Sequence, residues 1–359
     1  MAERILVVGA GPAGAAAAVL LARAGREVTL VEQHRFPRDK VCGECLSALA
    51  IETLTRMRLA DGLQRLSAPV LSKAALHTQD GRSVLLDLPR PIWGISRRVL
   101  DEYLLNAARA AGAIVLQPAR CERIDADGSE VRIRHLPTNR IEIVRPKTIV
   151  VADGKGRLTG APPPPTGDFG IKVHFENVEG PRDTVELFGC AGLYGGLAAV
   201  EGGRWNAAFS VPAARLRLHR GNVASLFAQI TKENPLLGRR LAGARPVGEW
   251  LAAPLPRFPV RSSWPPHVIP IGNAAAALEP IGGDGMGLAL RSAELAVECL
   301  LGNETGELRQ RYRQLWRVRR PACRIAAHTV SRAGAARLLL PLLGHSSRLA
   351  QASLRLIGK

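Results

Sequence analysis

Acidic side chains are in deficit and aromatic ones are scarce in this 359-residue chain. Asp and Glu number 31 against 49 Lys and Arg, a formal net charge of +18, and Phe, Trp and Tyr make up 4% of the residues. Few aromatics beside a hydrophobic fraction of 47% describe a globular core of Ala, Leu and Val, and exclude a disordered chain. No apolar run is long enough to span a bilayer. No secretion signal precedes the first strand, which begins directly after Met1 to Arg4, so the expected location is cytoplasmic. Cysteine is sparse as well: Cys42 and Cys45 are the one close pair among Cys121, Cys190, Cys299 and Cys323, which argues against a disulfide framework. The missing acids leave a positive field that suits an acidic protein partner or anionic lipid. Much of that charge is Arg spread along the chain, and no DNA- or RNA-binding motif occurs, so nucleic acid is not an expected partner.

What is present begins at Arg4. Ile5 to Val8 is a run of buried β-formers that stops at Gly9-Ala10-Gly11-Pro12-Ala13-Gly14. A small-residue helix, Ala15 to Arg23, follows, and then a strand, Glu27 to Val31. In such a βαβ unit Gly9 permits the tight turn, Gly11 lets backbone approach a pyrophosphate, and Gly14 lets helix and strand pack closely, so the helix N-terminus faces an anion. Glu32 lies 18 residues after Gly14, where a carboxylate can accept both hydroxyls of an adenosine ribose. No arginine is placed there for a 2′-phosphate.

Phe36-Pro37-Arg38-Asp39-Lys40-Val41-Cys42-Gly43-Glu44-Cys45 is kept irregular by Pro37 and Gly43, and a long loop after a nucleotide-binding strand is a place for function. Helical pattern resumes over Leu46 to Met57. Leu71 to His77 and Ser83 to Leu88 alternate like strands around an Asp80-Gly81 turn, and Arg97 to Ala111 has apolar residues at helical spacing. Strands Ile114 to Leu116 and Thr148 to Val151 flank a three-stranded insertion: Arg120 to Ile124, Val131 to His135, Ile141 to Val144. Past the stiff break Pro162 to Pro165, the segments Phe169 to Phe175, Thr184 to Phe188, Leu193 to Val200 and Arg204 to Val211 predict an antiparallel sheet suited to walling a pocket, with a hairpin at Glu201-Gly202-Gly203. Helices are expected near Val223 to Lys232 and Leu236 to Leu241. His267 to Ile271 is a buried strand, Gly272-Asn273 a turn, and Glu279 to Gly287 a second glycine-rich loop opening a helix to Leu301. Two glycine loops before helix N-termini mean two sets of free backbone donors.

This order of motifs resembles the FAD-dependent oxidoreductases of the p-hydroxybenzoate hydroxylase fold, and within them the branch of geranylgeranyl reductases and flavin-dependent halogenases. Four stretches carry the likeness: Gly9 to Gly14 with Glu32; Arg97-Arg98-Val99-Leu100-Asp101; Ala152-Asp153-Gly154; and Gly272-Asn273 followed by Pro280 and Gly283-Asp284-Gly285. The family's aspartate after that glycine is Asn273 here, which keeps a hydrogen-bond acceptor and loses the charge. The resemblance implies an α/β fold. A Rossmann-like FAD-binding domain (1–68, 93–161 and 260–302) would interleave with an antiparallel-sheet substrate domain (69–92 and 162–259), and a basic helical C-terminal region (303–359) would follow. It implies FAD held by Gly9, Gly11, Pro12, Ala13, Gly14, Glu32, Lys40, Arg97, Asp153, Gly272, Asn273, Gly283, Gly285 and Met286.

Around the flavin, Cys42, Glu44, Cys45 and Pro280 are the expected catalytic positions. Cys42 would face substrate, the Cys42 and Cys45 pair could cycle between dithiol and disulfide, and Lys40 could lower a thiol pKa. A lone C-x-x-C does not make a zinc site, and no metal is expected. Glu44 or His174 would deprotonate or orient the substrate. With no second dinucleotide-binding unit, electrons come from transiently bound NAD(P)H or from a protein reductant. Hydroxylation of an aromatic group, on a hydrophobic small molecule or a partner protein's side chain, is the leading expectation. The alternatives are reduction of isoprenoid double bonds and a flavin electron carrier or assembly factor with no catalysis of its own. The leucines and arginines of Ser331 to Lys359 suit peripheral contact with the inner membrane surface, a partner-docking arm, or a helix packed on the body.

Overall fold

A computed structural model describes residues 4–154, 157–159 and 167–358, so the proline break at Pro162 to Pro165 lies outside the described residues. Five parallel strands form the first sheet, in the order Val268–Pro270, Thr148–Val151, Arg4–Val8, Glu27–Val31 and Ile114–Leu116. Strands covered on both faces must be apolar on both, and Ile5, Leu6, Val7 and Val8 are accordingly all buried. The covering helices include Pro12–Arg23, packed between Arg97–Ala110 and Gly285–Leu301. Ala15, Ala16, Ala17 and Ala18 have no exposed surface, and these small side chains let three helices crowd together. The helix starts three residues before the expected Ala15, because proline loses nothing at the first helical position, where the N–H has no partner in the helix.

The second sheet has eight strands: Arg245–Pro254, Asp168–Glu176, Trp205–Pro212, Leu193–Ala199, Thr184–Cys190, Val70–His77, Ser83–Gly94 and Cys45–Leu46. It corrects the purely antiparallel expectation at one place, where Thr184–Cys190 runs parallel to Val70–His77. Those strands belong to separate passages of the chain, and local patterning carries no information on how separate passages pair. Arg245–Pro254 escaped the sequence reading because it is largely exposed and lacks an alternating apolar face. The short helix Ala213–Leu218 was missed for a similar reason, since it buries no residue. Leu46 begins no helix. It pairs with Trp93 at the sheet edge, and Ser47 caps the helix Ala48–Arg56. Ala119–Ile124, Val131–His135 and Ile141–Val144 form the expected insertion. The C-terminal region is helical throughout: Leu308–Arg317, Arg319–Val330, Ala333–His345 and Ser347–Leu356. Pro321 does not interrupt this helical run. It stands in the first turn of Arg319–Val330, where proline is tolerated.

Candidate functional site

The two glycine loops face one solvent-open cleft between the two sheets. Gly11, Pro12, Ala13, Lys40, Cys42, Glu44, Cys45, Arg97, Gly272, Asn273, Pro280, Gly283, Gly285 and Met286 line it. Gly9, Gly14, Glu32 and Asp153 do not, and each has visible work elsewhere. Gly9 has φ +96°, and a Cβ there would stand 2.5 Å from the Ala152 carbonyl oxygen. A Cβ on Gly14 would meet the Gly9 carbonyl. Glu32 is buried and accepts from the Ala10 and His34 N–H groups, each at 2.8 Å, so it fastens the first glycine loop to the second strand. Asp153 accepts from the N–H groups of Arg157 at 2.9 Å and Leu158 at 3.3 Å, holding its own loop.

Positive charge gathers at the first loop. Arg97 is buried and bidentate to Asp101 at 2.6 and 2.7 Å, which keeps its guanidinium rigid and always charged. Lys40 has no ion-pair partner among the described residues. Burial first, then the guanidiniums of Arg97 and Arg38, pull its ammonium down to about 8. Helix N-terminal amides beside an unneutralised ammonium make an anion site suited to a diphosphate.

Beside the cleft lies a polar cluster that the sequence revealed only in part. Glu44 is fully buried in the left-handed region, at φ +55°. Its carboxylate accepts from the Lys172 ammonium, from the Arg97 N–H at 2.8 Å, and meets His174 Nε2 at 2.6 Å. Burial pushes the Glu44 carboxyl up, but the His174 bond and the Lys172 charge outweigh it and hold the pKa below the ordinary value. Lys172 and His174 come from one strand, two residues apart and hence on one face. The spacing was visible in Lys172-Val173-His174, but the sequence reading singled out only His174. Asp39, Glu44 and His174 bring their ligand atoms within 4.8 Å of one another, an arrangement that could hold a metal. The Lys172 ammonium lies against Glu44 and 3.6 Å from Asp39, and already supplies the positive charge there.

Cys42 Sγ accepts from the Glu44 N–H at 3.4 Å, whereas the Cys45 thiol donates to the Gly43 carbonyl at 3.5 Å and is buried. Neither forms a disulfide among the described residues. Tyr194 is a wall residue the sequence did not single out. Its hydroxyl donates to Glu279, which Arg257 Nη2 holds at 3.0 Å, and burial followed by the Glu279 charge pushes the phenol pKa well up. The rest of the second-sheet wall is apolar or small: Gly170, Val185, Gly196, Ala198, Ala208 and Phe209.

Residues 3–159 match the FAD binding domain family. The chain is 28% identical over 321 residues to the menaquinone reductase of Mycolicibacterium smegmatis, covering 82% of this chain and 76% of that one. It is 24% identical over 330 residues to digeranylgeranylglycerophospholipid reductase 2 of Methanopyrus kandleri, covering 87% and 81%. Among solved structures, a flavin-dependent brominase superposes with a TM-score of 0.80 at 17% identity, covering 99% of this chain and 93% of that one. A geranylgeranyl bacteriochlorophyll reductase-like protein of Thermoplasma acidophilum does so at 0.77 and 20%, covering 99% and 96%. These two share the fold.

Proposed function

We propose that this chain, an FAD-dependent oxidoreductase with its FAD-binding domain at residues 3–159, reduces carbon–carbon double bonds of an isoprenoid chain lying in its cleft. The residues fit the cofactor. Gly11 and the amides of the helix at Pro12, with Lys40 and Arg97, suit the diphosphate, and the loop Gly283 to Met286 opens a second helix N-terminus onto the same space. Reduced FAD, when bound, supplies the electron pair and one hydrogen. The protein has to exclude water, position the double bond and supply a proton.

The observation that carries the reading is the commitment of Glu44. It is the one carboxylate among the cleft-lining residues, and Lys172, His174 and the Arg97 amide already hold it. Hydroxylating an aromatic ring is assisted by a base at the substrate, and a carboxylate locked in a buried ion pair is a poor one. An isoprenoid chain needs only an apolar wall, which Gly196, Ala198, Ala208 and Phe209 provide. Cys42 is the suited proton source. Its sulfur accepts rather than donates, so the S–H proton is free to point into the cleft and can be restored from solvent. The reductase names of the two relatives described above, each aligned along most of the chain, agree with this. Transiently bound NAD(P)H or a protein partner would deliver the electrons.

The test is anaerobic. Photoreduced protein given a geranylgeranyl lipid should reoxidise as the lipid gains two hydrogens per bond. No turnover without oxygen, together with oxygen incorporation into an aromatic substrate in air, would replace this reading with hydroxylation.

A further inference from the structure

A second pocket, open to solvent, shares no residue with the cleft and is lined by Leu49, Pro89, Arg90, Arg319, Arg355 and Gly358. All three charged residues in its wall are arginines. Arg90 pairs with Glu52 and Arg319 with Asp284 at 2.6 Å, but neither acid lines the cavity. Arg355 has no ion-pair partner among the described residues. Three guanidiniums around one space are therefore matched by two carboxylates, both outside its wall, and the surplus fits a phosphate group, which guanidinium forks bind in pairs.

The surroundings say where that phosphate comes from. In the helix Ser347–Leu356, Arg348 and Arg355 are seven residues apart, and so are their neighbours Leu349 and Leu356. Seven residues are two turns, so an arginine row runs beside a leucine row along one side. Leu349 is 55% exposed and Leu356 is 48% exposed. In the preceding helix, Ala333–His345, Leu338 and Leu342 are exposed too. Both helices pack on Ser83–Gly94, the strand that carries Arg90. Cations in a pocket beside solvent-facing leucines are what a helix lying in a bilayer interface presents.

We propose that the Arg90, Arg319 and Arg355 cavity is a phosphate-binding site, filled by the headgroup of an anionic phospholipid while Leu349 and Leu356 enter the acyl boundary. The site neither needs nor uses the isoprenoid reading of the cleft.

The full-length protein is co-sedimented with phosphatidylcholine vesicles with and without phosphatidic acid, and titrated separately with inorganic phosphate. Arg319 is left intact because it holds Asp284 beside the second glycine loop. The variants are Arg90→Gln with Arg355→Gln, Leu349→Ser with Leu356→Ser, and a charge-matched control, Arg217→Gln with Arg220→Gln, at exposed residues elsewhere. Phosphatidic acid should bring the protein down. The site pair should weaken that binding roughly tenfold or more, and the control less than about twofold. The serine pair should weaken vesicle binding while leaving inorganic phosphate binding unchanged. Phosphate binding that the site pair abolishes, with no vesicle binding, would keep the site and overturn the lipid as its source. Equal loss in site pair and control, or no binding to either ligand, would overturn the proposal. An unchanged flavin spectrum reports that each variant is folded.

Discussion

Gly272 and Ala13 meet where the two glycine loops converge: a Cβ added to Gly272 would stand 3.0 Å from the Cβ of Ala13. Gly272 also has φ +56°, and its N–H donates to Ser292 Oγ at 2.8 Å. The floor of the cleft therefore depends on a residue without a side chain.

Gly272→Ala should lower FAD affinity by more than about tenfold, since a left-handed alanine costs about 1–2 kcal/mol and must also displace Ala13. Gly25→Ala is the control. It has φ +76° but open space around it, so it should lose stability without losing affinity. Thermal melts with FAD titrations separate the two effects.

Lys40 sets a pH dependence. An ammonium held down near 8 without ligand will be held higher beside a diphosphate, so binding takes up a proton. FAD affinity should be flat below pH about 8 and fall as pH rises above it. Lys40→Gln should bind more weakly and show no such fall. A wild-type profile flat from pH 7 to 10 would remove Lys40 from the cofactor site.

Glu44→Gln would leave the Lys172 ammonium, which is 1% exposed, with only the more distant Asp39 carboxylate at 3.6 Å, and should cost about 3–5 kcal/mol in denaturant unfolding. Glu44→Gln with Lys172→Met should recover much of that loss. The carboxyl pKa is depressed in the folded state, so its contribution is present above the unfolded carboxyl pKa and fades as pH falls through the folded value. Wild type should thus lose stability in acid more steeply than the double variant.

If Cys42 delivers the proton, Cys42→Ser should cut turnover more than about tenfold and leave FAD absorbance alone. Cys45→Ser should leave turnover nearly intact, because that thiol is buried and bonded to Gly43. Equal loss in both would point to a dithiol pair, and no loss in either would end the thiol account.

Local regularities were the legible part. Gly9 to Gly14 with Glu32 gave the nucleotide-binding unit, because turn, helix and strand follow within one stretch of chain. The second loop could be placed before a helix, and the likeness to a family put both loops on one ligand. The parallel pairing of Thr184–Cys190 with Val70–His77 was not readable, because it joins distant segments. Nor was Lys172. It stays buried because Glu44, 128 residues away, neutralises it, and a sequence window sees the lysine without its partner. Glu44 was named from its residue type, as a group to deprotonate or orient a substrate, and its three partners, Lys172, His174 and the Arg97 N–H, lay beyond a sequence window for the same reason.

The account rests on one flavin clasped by both glycine loops, and FAD titration of the apoprotein with Gly11→Val and Gly285→Val tests that most directly. A Cβ at Gly285 meets open space and one at Gly11 makes only an ordinary 3.7 Å contact with Arg97, so both substitutions should fold and intrude on the cleft alone. The expected result is yellow wild-type protein binding one FAD per chain, with each substitution abolishing that same event. A colourless protein that FAD does not reconstitute, or full binding surviving either substitution, would contradict it.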